Sequence, residues 1–245
     1  MEGVYIPPPS HLANITVLVG GGITALSSQL VADSDFYTGA FPAEYGNALS
    51  GVFDLNLRNG NNRQYEHTFE AGIIGIDVAS EGPIAGDASY LFNYRLSTFS
   101  LISPLLPEGA DLIRYQNLSY KINVPTSKVG TFSLWGIGGK DFSGGPPNDD
   151  PDDWVYNYDR EDVESPTRFG AIGVKHRKLL GERAYLTTSF VGPGNGFNWN
   201  LDRYTDDGST LYPREYIRSR SGKLTAKSVL NFKISGSHSN RTETS

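Results

Sequence analysis

The residues best suited to chemistry lie in DDPDDWVYNYDRED, positions 149–162. Clustered carboxylates attract Ca²⁺. The ligand order and central glycine of an EF-hand loop are missing, however, so calcium competes here with a plain solvated acidic loop. Within the stretch Trp154, Tyr156 and Tyr158 alternate. On an extended segment that puts three rings on one face, which suits either a stacking surface for a ligand or a strand running on. The histidines are His11, His67, His176 and His238, and no two stand at a metal-ligand spacing. Asp33 and Asp35 flank a serine without the partner a glycosidase pair needs. Ser50 lies in Leu-Ser-Gly rather than Gly-x-Ser-x-Gly. Gly20-Gly21-Gly22 is not followed by the Gly-Lys-Ser/Thr of a phosphate loop. No nucleophile has a recognisable base, so the chain reads as no enzyme and as needing no cofactor.

The elements around these residues are strands. The chain has 245 residues with 28 Gly, 14 Tyr and 12 Phe, a composition that points to an all-β protein. It holds no cysteine, which excludes disulfides and thiolate metal sites. A net charge of −6 without a basic stripe argues against nucleic acid as a partner. No basic and then apolar leader follows Met1-Glu2. Leu12–Ala32 carries no charge, but its glycines and hydroxyl residues break the apolar continuity of a spanning helix.

Ile15–Val19 and Gly51–Arg58 read as strands, the latter with Phe53, Leu55 and Leu57 on one side, and Asn59–Asn62 as a turn. Beyond residue 65 the pattern is apolar-polar alternation. Tyr90, Phe92, Tyr94 and Leu96 oppose Ser89, Asn93, Arg95 and Ser97, with Leu91 out of step. Leu118, Tyr120, Ile122 and Val124 oppose Asn117, Ser119, Lys121 and Asn123. In 223–234, Leu224, Ala226, Leu230, Phe232 and Ile234 oppose Lys223, Thr225, Lys227, Asn231 and Lys233. Shorter versions lie at 67–73, 75–82, 131–138, 168–178 and 184–190. Short connections (125–130, 178–183, 235–239) alternate with long ones expected at 102–113, 140–167 and 191–213. A transmembrane β-barrel has that asymmetry between its rims. Tyrosines on the apolar face and lysines opposite favour a lipid-facing wall with a hydrated lumen, but a soluble sandwich shares the same alternation.

The segment GAFPAEYGNALSGVFDLNLRNGN, 39–61, resembles the end of the plug domain of TonB-dependent outer-membrane receptors of the Bacteroidota type. The matching positions are Gly39, Pro42, Ala43, Glu44, Tyr45, Gly46, Ser50, Gly51 and Val52. Residues 20–39 resemble the preceding plug segment, and 70–84 the first barrel hairpin, with a tight turn around Gly72–Gly75 and a short turn at 85–88. The likeness covers roughly residues 1–100 and is carried beyond them by strand pattern alone.

The resemblance implies the end of a plug in 1–62 and the start of a transmembrane antiparallel β-barrel in 63–245. Such barrels have about 22 strands, whereas about nine are countable here. The chain therefore reads as a piece of a receptor, with no TonB box, and as unable to form a working barrel alone. The implied function is active nutrient uptake across the outer membrane of a Gram-negative bacterium. The implied partners are TonB with ExbB and ExbD, outer-membrane lipid, and a surface lipoprotein lid. The alternatives are an outer-membrane binding or adhesion protein without energised transport, and a soluble β-rich carbohydrate-binding protein. The substrate is not legible.

Overall fold

The computed structural model describes residues 1–12, 23–39, 45, 51–99, 103–105, 113–148, 150–234 and 239–244. It is all-β, with 64% strand. Two small antiparallel pairs come first: β1 (Ser10–His11) with β2 (Ile23–Thr24), and β3 (Asp35–Thr38) with β4 (Gly51–Asp54). The expected strand at Ile15–Val19 and much of the 39–52 motif lie outside the described residues.

One large antiparallel sheet follows, built from β5 (Glu66–Ala71), β6 (Gly75–Pro83), β7 (Ser89–Ser97), β8 (Arg114–Thr126) and β9 (Gly130–Gly145). It continues through β10 (Glu161–Leu179), β11 (Ala184–Tyr204), β12 (Leu211–Gly222), β13 (Thr225–Lys233) and β14 (Ser239–Thr244). Each strand pairs with its sequence neighbour, except that β12 and β13 both pair with β11, along its far and near halves. The ten strands thus fill nine positions. The sheet is open, with β5 and β14 at its edges, and no closed barrel forms among the described residues. No described helix is long and apolar enough to cross a membrane.

The first hairpin turns at Gly72–Gly75, where the Gly72 N–H donates to the Gly75 carbonyl at 3.0 Å. One end of the sheet carries the tight connections 127–129 and 180–183, the other the longer 98–113 and 146–160. The first long connection, 98–113, covers the expected 102–113 and begins four residues earlier, whereas the other two are shorter than expected because the strands run on. Lys140–Gly145 pairs with Val163–Arg168, and the expected loop 191–213 is mostly the β11–β12 ladder, with 205–210 alone left as loop.

The sheet has two unlike faces, and the covered one is polar. Ser89, Asn93, Asn117, Ser119, Lys121, Asn123, Asp141 and Ser165 are all buried. They share that face with an apolar cluster in which Met1, Val4, Ala25, Leu30 and Leu57 meet Leu91, Trp135, Ile137, Phe169, Ala171 and Val191. Leu91, out of step in the alternation, is a member of that cluster and 1% exposed. Leu57 joins it, but Phe53 does not. The strand ends at Asp54, and Phe53 lies exposed, stacked on Phe36 at 4.3 Å. The opposite face is apolar and bare. Phe69, Val78, Phe92, Leu118, Val124, Phe132, Ile172, Val174, Phe190, Leu230 and Phe232 are exposed.

Candidate functional site

The N-terminal segment is held to the sheet by a set of polar clamps. Glu2, on the segment, reaches two lysines on the wall. Its Oε2 accepts from Lys175 Nζ at 2.8 Å, and its Oε1 accepts from Lys121 Nζ at 3.0 Å and the Leu57 N–H at 2.9 Å. Lys121 Nζ also donates to the Leu57 carbonyl at 2.5 Å. Alternation places Lys121 and Lys175 on the covered face, and the turn at 2–4 aims Glu2 between them. Burial pushes the Glu2 carboxyl up, but Lys175 and Lys121 outweigh it and hold it below its ordinary value.

A second clamp surrounds His11, which is 0% exposed. Asn117 Nδ2 donates to the Ala25 carbonyl at 2.9 Å, which turns its Oδ1 toward His11 Nε2 at 3.0 Å. The ring therefore donates from Nε2, while Nδ1 faces Asp141 Oδ2 at 3.3 Å. Tyr115 and Phe169 lie against the ring, with centroids 4.7 and 5.3 Å away. A third clamp closes the junction between segment and sheet. Arg58 grips Glu81 through both terminal nitrogens, at 2.7 and 2.6 Å, and the Asn61 N–H adds a bond at 2.7 Å. Arg95 binds Asp77 and reaches the Thr24 carbonyl at 3.3 Å.

This interface is polar and incompletely satisfied. Asn93 Oδ1 and Ser119 Oγ, neighbours across the β7–β8 pairing, have no hydrogen-bond partner among the described residues. Leaving such groups unpaired weakens the seating of the segment. The arrangement offers no nucleophile–base pair, and no described cluster could hold a metal ion. What it does is hold the N-terminal segment to the sheet through buried charges and hydrogen bonds.

The other expected site is the 146–160 connection. It is not extended. Asp150 caps a 3-10 turn at Pro151–Asp153, and a second turn spans Asn157–Arg160. The Asp159 carboxylate accepts from the Val155 and Tyr156 N–H groups at 2.8 and 2.6 Å and bends the chain between the turns. The three aromatics therefore do not share one face. Trp154 stacks on Tyr204 at 5.8 Å and donates from Nε1 to the Asn148 carbonyl at 2.9 Å. Tyr156 and Tyr158 stack on each other at 5.1 Å and stand exposed. Asp33 and Asp35 are exposed, with Asp35 accepting from the Tyr37 hydroxyl at 3.4 Å, and His67 and His176 bond to Ser80 and the Val129 carbonyl. Ser50 and His238 lie outside the described residues. Sequence reasoning missed His11 and Glu2, because no local pattern marks a contact 130 or 173 residues away.

Comparison with known proteins places this geometry in no group. No family model, no curated protein and no solved structure matches the chain.

Proposed function

We propose that this chain serves TonB-dependent uptake of a nutrient across the outer membrane of a Gram-negative bacterium. In this reading residues 1–62 belong to a plug and 63–245 to the barrel wall around it. TonB, driven by ExbB and ExbD, shifts the plug to open the lumen. The single observation that carries the reading is the sidedness of the large sheet: the polar face is covered and the apolar face is bare. In water the arrangement should be the reverse, because burying apolar area is the main stabilising term. Lipid makes the observed arrangement favourable.

Beyond Lys140 and Arg168, toward the 146–160 connection, the bare face becomes mixed: Glu164, Asn198 and Asn200 stand outward beside the rings of Phe142 and Tyr216. Phe197, Trp199 and Leu201 there turn to the covered side. A polar, partly satisfied plug interface supports release under force better than a greasy one would. The open edges call for further strands to close the wall. The exposed Tyr156–Tyr158 pair would lie at the outer rim, where an arriving ligand or a lipoprotein lid would meet it.

Val174 tests the membrane part of the proposal. It is 44% exposed on the bare face, amid Leu134 and Phe190. Val174→Arg should cost about 2–4 kcal/mol in a bilayer and stay within about 0.5 kcal/mol in water. Urea unfolding of protein inserted in lipid vesicles measures the difference. A change below about 0.5 kcal/mol in lipid would remove the basis for the reading.

A further inference from the structure

The bare face carries a row of cations at one height. Cross-strand pairing aligns Gln116 with Lys140, Lys140 with Arg168, Arg168 with Gly196, and Gly196 with Arg220. Lys140, Arg168 and Arg220 are exposed on that face, and none makes an ion pair or a side-chain hydrogen bond with another described residue. Arg114 and Arg218 extend the patch one row further on, Arg114 lying 5.5 Å over the Phe142 ring. The outward carboxylates Glu164, Asp162 and Asp202 lie beyond, Glu164 about 13 Å along the strand from Arg168.

Below the cation row the wall carries few side chains, and beneath Lys140 it is hollow. The next row in register is Leu118, Gly138, Gly170, Gly194 and Gly222, so the backbone there is bare. One row lower, Tyr120 lies over Gly136, where a Cβ would come within 2.6 Å of its ring. The result is an open groove of about 440 Å³, bounded by Tyr94, Leu118 and Tyr120, with Gln116 and Lys140 at its upper lip.

We propose that this groove and the cation row bind a lipid with an anionic phosphate headgroup, its chain along the bare backbone and its phosphate on Lys140, Arg168 and Arg220. The inference rests on the membrane reading above. Charge complementarity selects the occupant. Cations without protein partners at the edge of an apolar band face the headgroup layer, and a phosphate takes several N–H donors at once. A neutral acylglycerol would leave those charges unmatched.

The test uses the protein extracted from membranes in detergent, titrated with dioleoyl phosphatidic acid, dioleoylglycerol and inorganic phosphate and read by native mass spectrometry. Wild type should retain phosphatidic acid and neither of the other two. The triple variant K140Q/R168Q/R220Q should lose roughly fivefold in affinity per cation, on the order of a hundredfold in all. Lys128→Gln, in the tight turn 127–129, removes one charge elsewhere and should change nothing. Equal binding by the triple variant, equal binding of dioleoylglycerol, or inorganic phosphate binding as tightly as the lipid would each overturn the site. If the chain is recovered as an aqueous monomer without detergent, the membrane reading and this site fall together. A membrane-extracted protein indifferent to headgroup sinks the lipid site alone.

Discussion

Glu2→Gln removes one negative charge from between Lys175 and Lys121 and keeps the side chain's shape. The carboxylate contacts both ammonium groups at 2.8 and 3.0 Å, and its side chain is 1% exposed. At an effective dielectric of about 20, each contact is worth about 5 kcal/mol in gross attraction. Desolvation and lysine–lysine repulsion offset much of this. What remains on removing one partner of a buried pair is about 3–5 kcal/mol, nearer the lower end because Lys175 is 26% exposed. Trp135 reports the event. It is 0% exposed and pairs with Lys121 across β8 and β9. In a background lacking Trp154 and Trp199, release of the segment should red-shift Trp135 emission and expose it to acrylamide. Glu2→Gln should lower the urea midpoint of that transition. The variant E2L/K121M/K175M, which removes all three charges, should recover much of the loss. The same clamp sets a pH dependence. The folded carboxyl sits below its ordinary 4.5, so its stabilisation is complete above pH 4.5 and fades as pH falls through the lower folded value. If Glu2→Gln leaves Trp135 equally shielded at an unchanged midpoint, or if the triple variant is as weak as the single one, charge pairing does not hold the segment.

Gly139→Ala should unseat the same segment by a steric route. A Cβ there would come within 2.7 Å of the Phe169 ring and 2.8 Å of His11 Cε1, so thermal unfolding should show a loss of about 1–3 kcal/mol. An unchanged melting temperature would mean that His11 is not packed as described. The 205–210 loop should persist into strong acid. Asp207 is held down to about 2 by side-chain bonds from Thr205 and Ser209 and by the Ser209 N–H. Its contribution is complete above pH 3.8 and lost as pH falls through about 2. Carboxyl carbon shifts in a pH titration would reveal an ordinary value instead.

Much of the sheet was legible because alternation is a local signal. The faces of 89–97, 117–124 and 223–233 follow from residue order alone, whereas the turn at Gly72–Gly75 was expected only from the family resemblance, since alternation by itself runs 67–82 together as one strand. Alternation does not say which face is covered; that depends on whether residues 1–58 fold back onto the sheet. The far half of β11 was hidden by Gly192, Pro193, Gly194 and Gly196, which read as loop. Pairing on both sides, to β10 and β12, overrides their weak propensity. The Trp154–Tyr158 stretch alternates like a strand, yet Asp150 and Asp159 hold its backbone in two tight turns. Of the candidate site, the aromatic stretch and the polar wall could be read from sequence, but the partners of Glu2 and His11 could not.

The clamps also impose an order of assembly. Neighbouring strands of the large sheet meet across connections that range from the 127–129 turn to the 98–113 loop. Glu2 meets Lys121 and Lys175 across separations of 119 and 173 residues, and His11 meets Asn117 and Asp141 across 106 and 130. Closing a loop of that length costs about 3 kcal/mol more than closing a tight hairpin. Glu2 and His11 thus find their partners only after the strands that carry them, and until β10 is laid down Glu2 has no complete seat. The wall is the template, and the segment before it in sequence is the casting.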